Sequence, residues 1–91
     1  MNSVPIQRKV LVTNPNGLHM RPSAQFVQLA EKFQSTVIVR TDGREANGKS
    51  IWDLMGLAAE EGTELTLEAD GPDANDALEA LAALLAMPPE N

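Results

Sequence analysis

One histidine, His19, occurs in the 91 residues, between a turn-rich loop (Asn14 to Gly17) and a stretch with helical spacing. An imidazole near neutral pH is largely uncharged and nucleophilic, and it suits transient phosphoryl transfer. Its position near a helix N-cap matters, because free backbone N–H groups and the positive end of the helix dipole favour a phosphate there. Arg21, two residues on, brings a fork of donors matched to phosphate oxygens. Pro22 falls in the first turn, where its missing N–H removes no intrahelical bond. The expected phosphate donors are the amides of Met20, Arg21 and Ser23, and Gly17 lets the chain turn sharply into the site. Each neighbour also has an ordinary explanation: Arg21 as a solvated cation, Pro22 as a helix starter, Ser23 as a first-turn residue. It is their combination at this spacing that points to an anion. With no cysteine and no second histidine, neither a disulfide nor a zinc site is expected, and no cofactor is implied.

Such a site needs a rigid frame, and the hydrophobic pattern supplies one. Residues 6–13 read as a strand with Ile6, Val10 and Val12 on one face. From Met20 to Phe33 the spacing is helical, with Phe26, Val27, Ala30 and Phe33 forming a stripe. Residues 35–41 read as a second strand with Val37 and Val39 inward. Asp42-Gly43 is a hairpin signal, and a short third strand follows near Arg44 to Asn47. Ser50 has the form of an N-cap, with Asp53 three residues on, opening a short helix that Gly56 and Gly62 limit. Glu64 to Asp70 alternates as a fourth strand with Leu65, Leu67 and Ala69 inward. Gly71-Pro72-Asp73 ends it and caps a last helix, Ala74 to about Ala86, with Leu78, Leu81 and Leu85 buried; Pro88-Pro89 stops that helix. The order β-α-β-β-α-β-α predicts an α+β fold, a four-stranded antiparallel sheet covered on one face by three helices.

The bulk properties narrow the function. The length suits a single domain, 1–91, too small for a deep enclosed site. The net charge is −6, which argues against nucleic acid as the main partner. All seven basic residues lie at or before Lys49, so the first half is where an anion is held and the acidic second half is a solvated face. No apolar run is long enough to span a membrane, and the N-terminus has no secretory pattern. The expected location is the cytoplasm and the expected state a monomer. A hydrolase is disfavoured, because the chain offers no acid–base pair beside a pocket.

The run Gly17-Leu18-His19-Met20-Arg21-Pro22-Ser23-Ala24 resembles the active-site signature of the histidine-containing phosphocarrier (HPr) family of the phosphoenolpyruvate-dependent sugar phosphotransferase system. Asn47-Gly48-Lys49-Ser50-Ile51 is similar to the family's second motif, and Glu61-Gly62-Thr63-Glu64-Leu65 to its entry into the fourth strand. The resemblance runs from about Arg8 to Ala86 without a gap. It implies an open-faced β-sandwich. It implies a phosphoryl group carried on His19 Nδ1 with assistance from Arg21, phosphorylated Enzyme I as donor, and the A domains of Enzyme II as acceptors. The protein would then be a stoichiometric carrier with no turnover of its own. Asn16 matches a loop position that orients the ring. Ile51, Trp52 and Met55, joined by Met20, match an apolar docking patch, though Ile51 and Met55 also suit a core. Ser50 matches a serine that an ATP-dependent kinase phosphorylates in some lineages; as an N-cap it is useful without that role, and both readings stay open. Met20 in place of a small residue, and the pair Trp52-Asp53, depart from the usual pattern and bear on partner choice. Two rivals remain: a nitrogen-related, dihydroxyacetone-kinase or regulatory phosphorelay, and a binding module controlled through Ser50.

Overall fold

A computed structural model describes residues 4–86. In chain order it contains β1 (Ile6–Leu11), α1 (Met20–Ala30), β2 (Thr36–Thr41), β3 (Arg44–Asn47), α2 (Ile51–Gly56), β4 (Glu64–Asp70) and α3 (Ala74–Ala86). The four strands form one antiparallel sheet in the order β1-β4-β2-β3. The helices lie on one side, as the alternation in the strands requires: Val37, Val39, Leu65, Leu67 and Ala69 face them and are almost wholly buried. Phe26, Val27 and Ala30 from α1, Leu54 from α2, and Leu78, Leu81 and Leu85 from α3 complete the core. Burying a side chain of the Leu, Val or Phe class contributes about 1.5–3 kcal/mol, so helix position is fixed mainly by these contacts rather than by helix propensity.

The opposite face of the sheet is polar. Arg40 Nη1 lies 2.6 Å from Glu68 Oε1 and its Nε 3.1 Å from Glu45 Oε2, while Gln7 Nε2 donates to the same Glu68 oxygen at 2.9 Å. The Gln7 hydrogen bond and the Arg40 contact hold the Glu68 carboxyl below its ordinary range. The hydrogen bond to Glu68 raises Arg40 in turn.

Two element ends fall short of the sequence expectation. The first strand stops at Leu11, because β4 begins at Glu64 and Val12 bonds instead to the preceding turn, donating to Thr63 O and accepting from Gly62 N. The helix expected to reach Phe33 ends at Ala30, followed by tight turns in which Lys32 N donates to Leu29 O and Phe33 N to Ala30 O. Tertiary bonds override the hydrophobic period here: Lys49 Nζ takes the Phe33 carbonyl at 2.9 Å, and the Asp73 carboxylate takes the amides of Gln34 and Ser35. Asp73 therefore opens α3 by position, its carbonyl accepting from Ala77 N, while its carboxylate is turned to the α1–β2 connection. The Pro88-Pro89 stop lies outside the described residues.

Candidate functional site

His19 is the N-cap of α1, with extended backbone angles (φ −83°, ψ −167°) and no side-chain capping bond. An uncapped N-terminus leaves amides unsatisfied. Pro22 has none to offer. Ser23 N donates to His19 O at 3.0 Å, the first bond of the helix, and its hydroxyl donates to Leu18 O at 3.2 Å. Ser23 is fully buried. This geometry does not support its expected part as a phosphate donor, since His19 O and Leu18 O already accept from its two donors. The amides left at the N-terminus are those of Met20 and Arg21. Arg21 is exposed and forms no ion pair among the described residues, so its guanidinium is free to meet an anion beside the half-buried imidazole. Lys49, another candidate cation of the basic first half, is instead tied to the Phe33 carbonyl.

The approach to His19 is held from below. Gly17 N donates to Asn14 O and Leu18 N donates to Ala59 O at 2.8 Å, so the loop before the histidine is docked on the turn that follows α2. Gly17 has φ +72°, and a Cβ there would collide with Ala59 O and lie 3.0 Å from Glu60 Cα. Glycine is needed both for the dihedral and for the close approach. Leu18 is buried behind this contact. Asn16 is exposed; its backbone N–H donates to Asn14 Oδ1, and among the described residues its side chain makes no hydrogen bond to the ring. The loop thus fixes the backbone of the site without the Asn16 amide.

α2 packs against α1. Ser50 is its N-cap, and its Oγ accepts from Asp53 N at 3.2 Å. The Asp53 carboxylate accepts from Asn47 N at 3.2 Å rather than from Ser50 N, which donates to Asn47 O, so only the Ser50 half of a capping box forms. On the exposed side Trp52 retains 77 % of its surface and Met20, on α1, 57 %. Ile51 and Met55 are half-buried, and Ile51 packs on the core. The four residues expected to form a docking patch therefore divide into two that project and two that are partly buried. The sequence did not signal the turn 58–62 as part of the site. Its link to Leu18 and Gly17 is a tertiary contact, and only Gly17 hinted that something approaches closely. Ala58 in that turn holds φ +52°, a left-handed conformation unusual for alanine.

Comparison with known proteins agrees with this geometry. The family model described as the PTS HPr component phosphorylation site matches residues 6–87. The chain is 51% identical over 78 residues to the HPr-like protein Crh of Bacillus subtilis, covering 86% of this chain and 92% of that one. It is 47% identical over 81 residues to the phosphocarrier protein HPr of Cupriavidus necator, covering 89% and 91%. The crystal structure of a phosphocarrier protein HPr from Bacillus anthracis superposes with a TM-score of 0.86 at 43% identity, covering 90% of this chain and 98% of that one. A crystal structure of Crh, described as an intertwined dimer with a swapped domain, superposes with a TM-score of 0.73 at 50% identity, covering 88% and 92%.

Proposed function

The chain belongs to the HPr family of phosphocarrier proteins of the sugar phosphotransferase system, and we propose that it accepts a phosphoryl group from phosphorylated Enzyme I on His19 Nδ1 and passes it to Enzyme II A domains. A bond from the ring nitrogen to phosphorus forms as the donor's bond to phosphorus breaks, and the reverse happens at the acceptor. The observation that carries this reading is the uncapped His19 at the start of α1, with the Met20 and Arg21 amides beside it. Those amides and the Arg21 guanidinium stabilise the oxygens of the transferring group. Met20, Trp52, Ile51 and Met55 form the surface on which the partner rests. The protein acts as a stoichiometric carrier in the cytoplasm, as one domain.

It acts as a monomer, and both sheet edges support that. On β3 the outward amide of Asn47 is covered by the Asp53 carboxylate. On β1 the exposed Arg8, beside Lys9 whose ammonium lies 3.9 Å from Glu64, keeps charge on the edge strand and disfavours its pairing with a second copy. A dimer in light scattering at micromolar concentration would refute this point.

The test of the carrier role is phosphotransfer from phosphoenolpyruvate through Enzyme I. Acid-labile label on the wild type and none on His19→Ala is the expected result. A wild type that stays unlabelled with Enzyme I from its own source would sink the reading. A regulatory reading through Ser50 draws on the similarity to Crh; label from ATP on the wild type but not on Ser50→Ala would support it.

A further inference from the structure

The charge around His19 is uneven in a way that the carrier role does not require. Glu60 and Glu61 lie at the tip of the turn between α2 and β4, exposed and without an ion pair among the described residues. The turn is fixed on both sides. Ala59 O accepts from Leu18 N, Gly62 N donates to Val12 O, and Thr63 closes it by donating its N–H to Glu60 O while its Oγ1 accepts from Glu60 N. The Glu60 backbone is thereby pressed against Gly17, two residues from His19. Chain geometry puts it within about 10 Å of the His19 backbone, comparable with the screening length at physiological salt. On α2 the Asp53 carboxylate is taken by Asn47 N. The cation nearest to this helix in sequence, Lys49, is drawn off to the Phe33 carbonyl. The outer positions of α1 between Arg21 and Glu31, namely Gln25 and Gln28, are uncharged. The exposed Met20 and Trp52 therefore share this end of the molecule with the Arg21 cation and with the two exposed glutamates of a turn whose backbone is held.

We infer that the protein surface docking over His19 has an apolar centre and a basic rim, with lysine or arginine side chains facing Glu60 and Glu61. This rests on the carrier reading and names the chemistry of its partner. Donor and acceptor must reach the same imidazole, so each meets the same acidic border. Complementary rim charge acts mainly on the encounter rate and on the choice of partner. The carboxylates repel a partner whose own rim is acidic, which makes them a filter as well as a guide.

The test measures transfer from phosphorylated Enzyme I of the same source to the wild type, to Glu60→Gln/Glu61→Gln and to Glu60→Lys/Glu61→Lys, across a salt series. Both side chains are exposed, and matching thermal melts would verify folding. The expected result is a wild-type kcat/KM that falls with salt. The lysine pair should lower kcat/KM on the order of tenfold at low salt and flatten or invert the salt dependence, with the glutamine pair between, while kcat stays constant. Spontaneous hydrolysis of the phosphohistidine should be the same in all three. An unchanged or faster lysine variant overturns the inference while leaving the carrier role intact. So does an effect confined to kcat or to hydrolysis, since the carboxylates would then act on the phosphate and not on the partner. Absence of any label on His19 removes the carrier reading and this inference with it.

Discussion

Replacing Gly17 with alanine tests whether the site is held by the turn beneath it. Two costs arise. At φ +72° an L-residue loses about 1–2 kcal/mol relative to glycine, offset by about 0.4–1 kcal/mol from the reduced freedom of the unfolded chain. The added methyl also meets Ala59 O and, at 3.0 Å, Glu60 Cα, both backbone atoms that cannot swing aside. Forcing a methyl into packed surroundings costs about 1–3 kcal/mol more. Gly62 provides the control: its φ is +87°, but a Cβ there meets nothing within 4 Å, so Gly62→Ala carries the dihedral cost alone. Gly17→Ala should therefore be less stable than Gly62→Ala by about 2 kcal/mol, roughly 8–16 °C in Tm for a domain of this size. Urea unfolding of the two variants with equal m-values gives the difference directly. Gly17→Ala should also slow labelling of His19, because relieving the clash shifts the Leu18–Ala59 bond that seats the histidine. Equal stability of the two variants would refute the reasoning, since close approach would then contribute nothing.

Ala58 presents the converse case: at φ +52° it bears the left-handed cost, and Ala58→Gly should raise stability by about 0.5–1 kcal/mol in the same urea assay. Ser50→Ala removes the cap on Asp53 N and should destabilise by about 1 kcal/mol. Asn and Asp are near-equal caps in general, so a deficit of Ser50→Asp against Ser50→Asn, about 0.3 kcal/mol and reduced by salt, would report repulsion from the Asp53 carboxylate. Asp73 titrates below the ordinary carboxylate range, chiefly through the Ser35 hydroxyl and then the Gln34 amide. A depressed folded value stabilises above the unfolded pKa and loses that stabilisation as pH falls through the folded one. The urea midpoint should therefore drop below about pH 4, and Asp73→Asn should flatten that limb while lowering stability at neutral pH.

The strands and helices were legible because one periodicity governed each: Leu65, Leu67 and Ala69 alternate, while Phe26, Val27 and Ala30 recur at helical spacing. The ends were less so. Phe33 continues the helical stripe of α1, yet its carbonyl is taken by Lys49 and the next two amides by Asp73, partners 16 and about 40 residues away. No local pattern encodes such contacts. The same holds for the site. His19, Arg21 and Pro22 announced themselves through residue type and spacing. Ser23 did not disclose that His19 O and Leu18 O take both of its donors, and the two glutamates of the 58–62 turn read as ordinary solvated charge until the fold brought that turn against Gly17.

That turn also shows how a chain with little interior can hold a reactive side chain in place. The imidazole needs no enclosed pocket if its backbone is clamped, and the clamp consists of one hydrogen bond, one glycine contact and a buried leucine. Among the described residues none of these contacts uses the imidazole, so the ring stays open to a second protein. An arrangement of this kind suits a group that must be delivered rather than retained. The incoming surface, not this chain, then excludes water at the moment of transfer, and the charges bordering the histidine influence which surfaces approach it.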